Sequence, residues 1–343
     1  MDAQRLYVPL KDRGIVALDR QNGDMDWRND TNANWPLVVD GGVLYAASGH
    51  DLFAIDAATG DVRWHASLAG AVIAPIGLQQ GLVVAVTEPD GVLAYHASTG
   101  QIAWQHALGG KAGAIRMTVG SDGVYLVAPE GRLVALSLAD GHQLWELTIP
   151  GALTAPASTR DRVFIGSSEN VFYAFNSGNG HLEWKWRTGG DVVGATADRE
   201  AAYFVSLDNI LRAVNRGNGN QRWQKDTGTR PTGAPHVVGP VVVVPGVGAT
   251  LSAFSVVTGA SVGSFSPPSS AELEFEGDPM FDPALLPFQV AAAILTRDGR
   301  VIALRPTGML FREAAPAAFT QLPGRTLEKE RPPVVSSEDS SAP

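Results

Sequence analysis

An alanine, a glycine six positions later and a tryptophan four beyond that recur six times in register along this 343-residue chain. The copies are Ala17/Gly23/Trp27, Ala54/Gly60/Trp64, Ala94/Gly100/Trp104, Ala135/Gly141/Trp145, Ala174/Gly180/Trp184 and Ala213/Gly219/Trp223. A seventh, Ala253/Gly259, has Gly263 in the tryptophan position, and an eighth, Ala303, keeps only the strand that carries the alanine. Successive glycines from Gly23 to Gly259 lie 37 to 41 residues apart. Self-similarity at that period defines a repeat architecture, and it overrides the two-domain expectation from length alone.

Each repeat has one grammar. A short apolar strand such as Val43–Ala47 or Leu82–Val86 comes first, and a turn leads to a second strand that holds the alanine. A tight turn then ends in the glycine, and a third strand carries the tryptophan. The residue before the glycine is Asn, Asp or Thr in every copy. Asn-Gly and Asp-Gly are strong hairpin signals because the turn needs positive φ. A looser stretch, often with Pro (Ala74-Pro75, Ala155-Pro156, Ala234-Pro235), has room for a fourth strand. Four antiparallel strands per forty residues make a β-propeller blade, so the expected fold is an all-β, eight-bladed propeller over residues 5–321. Near-continuous apolar runs fit strands covered on both faces. The frame has a physical reason too: a large indole needs cover, and Ala and Gly leave the space for it.

The first repeat lacks a leading strand, and the last is followed by Pro316–Thr320, which is expected to pair with the first blade and close the ring. Between the seventh and eighth repeats the alanine spacing widens to 50, with an acidic insertion around Pro267–Asp278. Residues 322–343 are rich in Pro, Ser and charge and are expected to be a disordered tail. The formal net charge of −9 disfavours non-specific nucleic-acid binding. There are no cysteines, which removes disulfides and thiolate metal sites. No apolar run of about 18 residues suggests a transmembrane helix. The abrupt start inside a repeat is expected to follow a leader.

The frame closely resembles the tryptophan-docking motif of the pyrroloquinoline quinone (PQQ) repeat family, over roughly residues 5–310. The resemblance implies an eight-bladed propeller in which Trp27, Trp64, Trp104, Trp145, Trp184 and Trp223 each pack between the alanine of their own motif and the glycine turn of the next blade. Two branches share the motif. Quinoprotein dehydrogenases hold PQQ and Ca²⁺ in the central funnel, commonly against a vicinal disulfide that this chain cannot form. The BamB family are non-enzymatic scaffolds of bacterial outer-membrane barrel assembly, and the present length is similar to theirs. The resemblance to that branch implies no enzyme, no cofactor, an envelope or periplasmic location, and protein partners met through rim and inter-blade loops. PQQ and Ca²⁺ belong to the alternative, a redox or ligand-sensing propeller.

No catalytic motif stands out. The seven histidines show no metal-ligand spacing and read as surface residues. Trp35 reads as a packed strand-end residue. Polar residues exceed what the grammar needs around Trp186, Arg187, Asp191, Asp208, Asn209 and Arg212. Either these line one funnel mouth and take a ligand or a partner's loop, or Asp191 caps a turn, Arg187 pairs with it and Asp208-Asn209 makes a hairpin turn. Deleting everything after Arg312 is expected to lower the melting temperature clearly, because two sheet edges would be opened; an unchanged value refutes ring closure.

Overall fold

A computed structural model of the chain describes residues 4–10, 14–19, 24–89, 91–109, 113–265, 286–287, 292–295 and 301–304. Eight antiparallel sheets follow one another along these residues. The fourth is representative: Arg116–Val119, Gly123–Ala128, Arg132–Ser137 and Gln143–Thr148 pair in chain order, from the innermost strand to the outermost. The fifth (Ala157–Ser158, Arg162–Ser167, Val171–Asn176, Leu182–Arg187) and sixth (Val192–Ala197, Ala201–Ser206, Ile210–Asn215, Gln221–Asp226) repeat it. In the third sheet two short segments, Ala71–Val72 and Gly77–Gln79, share the inner position beside Leu82–Glu88. Pro75 lies between them and has no backbone N–H to continue a ladder. The first sheet (Arg5–Leu10, Gly14–Asp19, Met25–Asn29) has three strands among the described residues. Gly23, the acidic insertion, Pro316–Thr320 and the tail lie outside the described residues.

In the second to seventh sheets the two central strands are the most apolar, and they are largely buried. Val241–Gly246, for instance, is covered along its whole length. The hydrophobic clusters show what covers them. Tyr45, Leu52 and Ala54 of the second sheet join Val83, Leu93 and Tyr95 of the third. Val84 and Val92 join Leu126 and Val134 of the fourth, and Leu133 and Trp145 join Val163 and Ile165 of the fifth. The core is therefore a series of seams between consecutive sheets, as in a propeller.

One contact recurs at six seams. Each motif alanine sits opposite its own tryptophan across the strand pair, as Ala54 opposite Trp64 and Ala135 opposite Trp145. The indole then reaches the next sheet. The Nε1–H of Trp27, Trp64, Trp104, Trp145, Trp184 and Trp223 donates to the carbonyls of Ala57, Ala97, Leu138, Ser177, Arg216 and Val256, at 2.8–3.1 Å. The ring lies on the turn glycine of that sheet: Gly60, Gly100, Gly141, Gly180, Gly219 and Gly259 in the same order. Buried N–H groups need partners, and these carbonyls supply them.

The turn that presents each carbonyl is four residues long rather than two. Asp56 N donates to Asp61 O and Gly60 N to Asp56 O, at 2.7 and 2.8 Å. Only the glycine is left-handed; the Asn, Asp or Thr before it has another task. Asn179 Oδ1 accepts from His181 N, Asn218 Oδ1 from Asn220 N, and Thr59 Oγ1 from Asp61 N. At the start of the turn, Asp56, Asn176 and Asn215 accept from backbone N–H groups two and three residues on. These side chains fold the turn locally; the glycine leaves it flat enough to receive an indole.

Gly180 is at φ +71°, and a Cβ there would stand 2.8 Å from Cδ2 of Trp145. Gly180→Ala is expected to destabilise by about 2 kcal/mol or more, the sum of a left-handed backbone and an overpacked seam. Gly178→Ala, in the same turn with its nearest atom 3.6 Å away, should leave the urea midpoint nearly unchanged.

Candidate functional site

The polar excess falls where the fifth and sixth sheets meet, and the structure divides its six residues among three tasks. Trp186, two residues beyond the docking Trp184, is cross-strand from Phe172. Its Nε1–H donates to Gly219 O at 2.5 Å. This seam is thus held by two indoles on one turn, since Trp184 reaches Arg216 O. Phe204 stacks on Phe172 at 4.0 Å and faces Trp186 at 6.5 Å. Arg216 adds an ion pair back to Asp161 of the fifth sheet. Trp186 is therefore part of the seam.

Asp208, Asn209 and Arg212 belong to the hairpin between the second and third strands of the sixth sheet. Asp208 Oδ1 accepts from Ser206 Oγ, Ile210 N and Arg212 Nη1 at 2.6, 3.1 and 3.2 Å. Its Oδ2 accepts from Arg212 Nη2 at 2.6 Å and from Gly189 N at 3.1 Å. Arg212 is only 8% exposed, so its charge needs this carboxylate. Burial pushes the Asp208 carboxyl up, but the Arg212 guanidinium and the Ser206 and Ile210 donors outweigh it and hold the pKa at about 2. Asn209 takes φ +63° at the hairpin tip, and its carbonyl accepts from Thr227 N at 2.9 Å. The network ties the loop carrying Gly189 to the hairpin, so these residues shape the end of the sheets from within.

Arg187 is exposed and Asp191 is half-buried. Arg187 closes the outermost strand of the fifth sheet with an exposed side chain, and Asp191 O accepts from Leu207 N at 2.8 Å. The expected Arg187–Asp191 pair is not formed; neither side chain makes an ion pair among the described residues.

Other sequence readings shift in detail. Trp35 lies on the connection before Val38 rather than at a strand end; its Nε1–H donates to Val72 O at 3.2 Å and its ring packs on the second and third sheets. His50, His65, His96, His142 and His181 are exposed, whereas His236 is partly buried on the innermost strand of the seventh sheet. Burial pushes its imidazole pKa down. A PQQ site needs an aromatic platform and oxygen ligands for Ca²⁺. The two tryptophans outside the frame are committed to seam contacts, and no cluster of His, Asp and Glu suited to a metal occurs among the described residues.

A second residue of the docking device escaped the sequence reading. Nine or ten positions before the alanine, Tyr7, Tyr45 and Tyr203 lie 5.7–6.1 Å from the docking indole of their own sheet. The hydroxyls of Tyr7 and Tyr45 donate to Ala57 O and Ala97 O, the carbonyls that the indoles also use, whereas the Tyr203 hydroxyl donates to Asp198 Oδ2 at 2.8 Å. Phe164 takes this place beside Trp184. An aromatic residue at that spacing was the available signal.

Fold and seams together define a tryptophan-docked β-propeller of the PQQ-repeat class. A family model described as outer membrane protein assembly factor BamB matches residues 11–156 and 151–304, and the chain belongs to that family. A BamB from Nitrosomonas eutropha is 28% identical over 155 residues, which are 43% of this chain and 38% of that protein. The serine/threonine-protein kinase AfsK of Streptomyces coelicolor is 30% identical over 141 residues, 40% of this chain and 17% of the kinase. The matched stretches thus span well under half of either relative. Among solved structures, BamB from Moraxella catarrhalis superposes with a TM-score of 0.65 at 15% identity, over 91% of this chain and 90% of that one. The computationally designed protein Ika8 gives 0.74 at 16% identity, over 89% and 94%. At such identities the two structures share the fold.

Because Asp208 titrates at about 2 when folded and at 3.8 without its partners, its stabilising contribution is complete above the higher value and is lost as pH falls through the lower one. Asp208→Asn should therefore flatten the fall in melting temperature between about pH 4 and pH 2; an unaltered slope excludes this carboxylate as a source of acid lability.

Proposed function

We propose that the protein is a non-catalytic scaffold of the bacterial cell envelope, a BamB-type propeller of eight blades whose ring is closed by its C-terminal segment. It would hold other proteins through rim and inter-blade loops, in outer-membrane protein assembly. The observation that carries this reading is the family match across residues 11–304. Geometry supports it: the aromatic and buried charged groups around the fifth and sixth sheets are used up in joining blades, which leaves the surface for contact. The outermost strands supply a second kind of surface. Met25, Val62, Ile102 and Leu182, each two residues before a docking tryptophan, are 46–58% exposed on sheet edges where an extended strand of a partner could add. On this reading Arg187 is a contact residue and Asp208 is an internal brace.

Cross-linking of the full chain in envelope extracts should capture envelope proteins, and Arg187→Glu should reduce capture without changing the melting temperature. Undiminished capture removes Arg187 from the contact surface. Added PQQ with Ca²⁺ should give neither a quinone absorbance band nor a thermal shift; either signal would favour the redox propeller instead.

A further inference from the structure

Arg187 and the 207–209 hairpin lie at one end of the strands. At the opposite end of the sixth sheet, the loop Asp198–Glu200 between its first two strands faces the turn after Asn215. Arg199, Arg216 and Arg222 line a hollow of about 450 Å³ there, together with Glu200, Asn215 and Gly217. We propose that this hollow binds an acidic peptide segment of a partner protein.

Three guanidinium groups from three elements face the hollow, two of them paired with the carboxylates of Asp161 and Glu200. Two of them are already held in place. Arg216 Nη1 donates to Thr159 Oγ1 at 3.1 Å and to the Asp161 carboxylate, both of the fifth sheet. Arg222 Nη1 donates to Glu200 at 3.2 Å. Their side chains are only 25% and 30% exposed, so little side-chain entropy is left to lose when an anion arrives. Arg199, at the loop tip, makes no ion pair among the described residues. The neighbouring Asp198 is occupied with the loop itself, accepting from Glu200 N, Ala201 N and the Tyr203 hydroxyl at 2.7–2.8 Å. Guanidinium forks match carboxylates bidentately, and clusters of them read acidic motifs.

The occupant follows from scale. The chain as a whole carries −9, so an extended polyanion or an anionic surface meets repulsion from most of the molecule. A short acidic segment meets the hollow alone, within about a Debye length of roughly 8 Å.

The test titrates the full chain with fluorescent hexaglutamate, at low salt and at about 0.15 M. Saturable binding should weaken with salt and fall roughly ten-fold or more in Arg199→Glu/Arg222→Glu. Arg28→Glu, at an exposed arginine of the first sheet, should bind as the parent does. Arg199→Gln/Arg222→Gln, with its melting temperature measured, gives a partial loss that stands even where charge reversal disturbs the loop. The proposal is overturned by absent saturable binding, by equal loss in Arg28→Glu, or by binding of phosphate or phosphatidylglycerol vesicles without binding of hexaglutamate. Partner capture through Arg187 uses the other end of the sheets, so the two readings fail separately.

Discussion

An indole N–H placed against a carbonyl of the next sheet is the contact on which the rest of this molecule depends. A sheet whose strands are apolar on both faces needs cover on both, and the sheets here gain it from their neighbours. The tryptophan joins them with one apolar plate and one hydrogen bond. It needs a small residue behind it and a bare backbone in front, so alanine and glycine are fixed by the same indole. Six seams use that arrangement with only slight variation in donor–acceptor distance.

Much of this is legible in the sequence because the device is periodic. The alanine, glycine and tryptophan are rare choices at rigid spacing, and their order sets the strand order. The tyrosines are harder to read, since Phe164 replaces one and Val84 stands opposite Ala94. Their role also depends on a carbonyl supplied some fifty residues later. The length of the turn was hidden for a similar reason: Asn before Gly suggests positive φ at both, whereas Asn179 and Asn218 use their side chains on a backbone N–H instead.

The polar residues around the fifth and sixth sheets were conspicuous, but their grouping was not. Trp186, Arg187, Asp191 and Asp208 are near one another in sequence and could all have faced one mouth. Register decides otherwise. Trp186 is opposite Phe172 and turns into the seam, Arg187 lies at the strand end, and Asp208 bends back onto Arg212 four residues later. The arginines of the opposite end were missed because they are scattered over Arg199, Arg216 and Arg222, with no spacing that marks them as a group. Only the return of the chain at a loop and a turn brings them to one hollow.

The shared carbonyls have an optical consequence. At the seams of Trp27 and Trp64 a phenol and an indole point to the same oxygen, with rings 5.7 and 6.1 Å apart, so light absorbed by the tyrosine passes efficiently to its tryptophan partner. Each of the six indoles is also a fluorophore whose emission colour depends on one particular interface staying dry. The molecule carries its own gauge at every joint from the first sheet to the seventh. Gly263 stands where the next gauge would be, and the joint beyond it is dark.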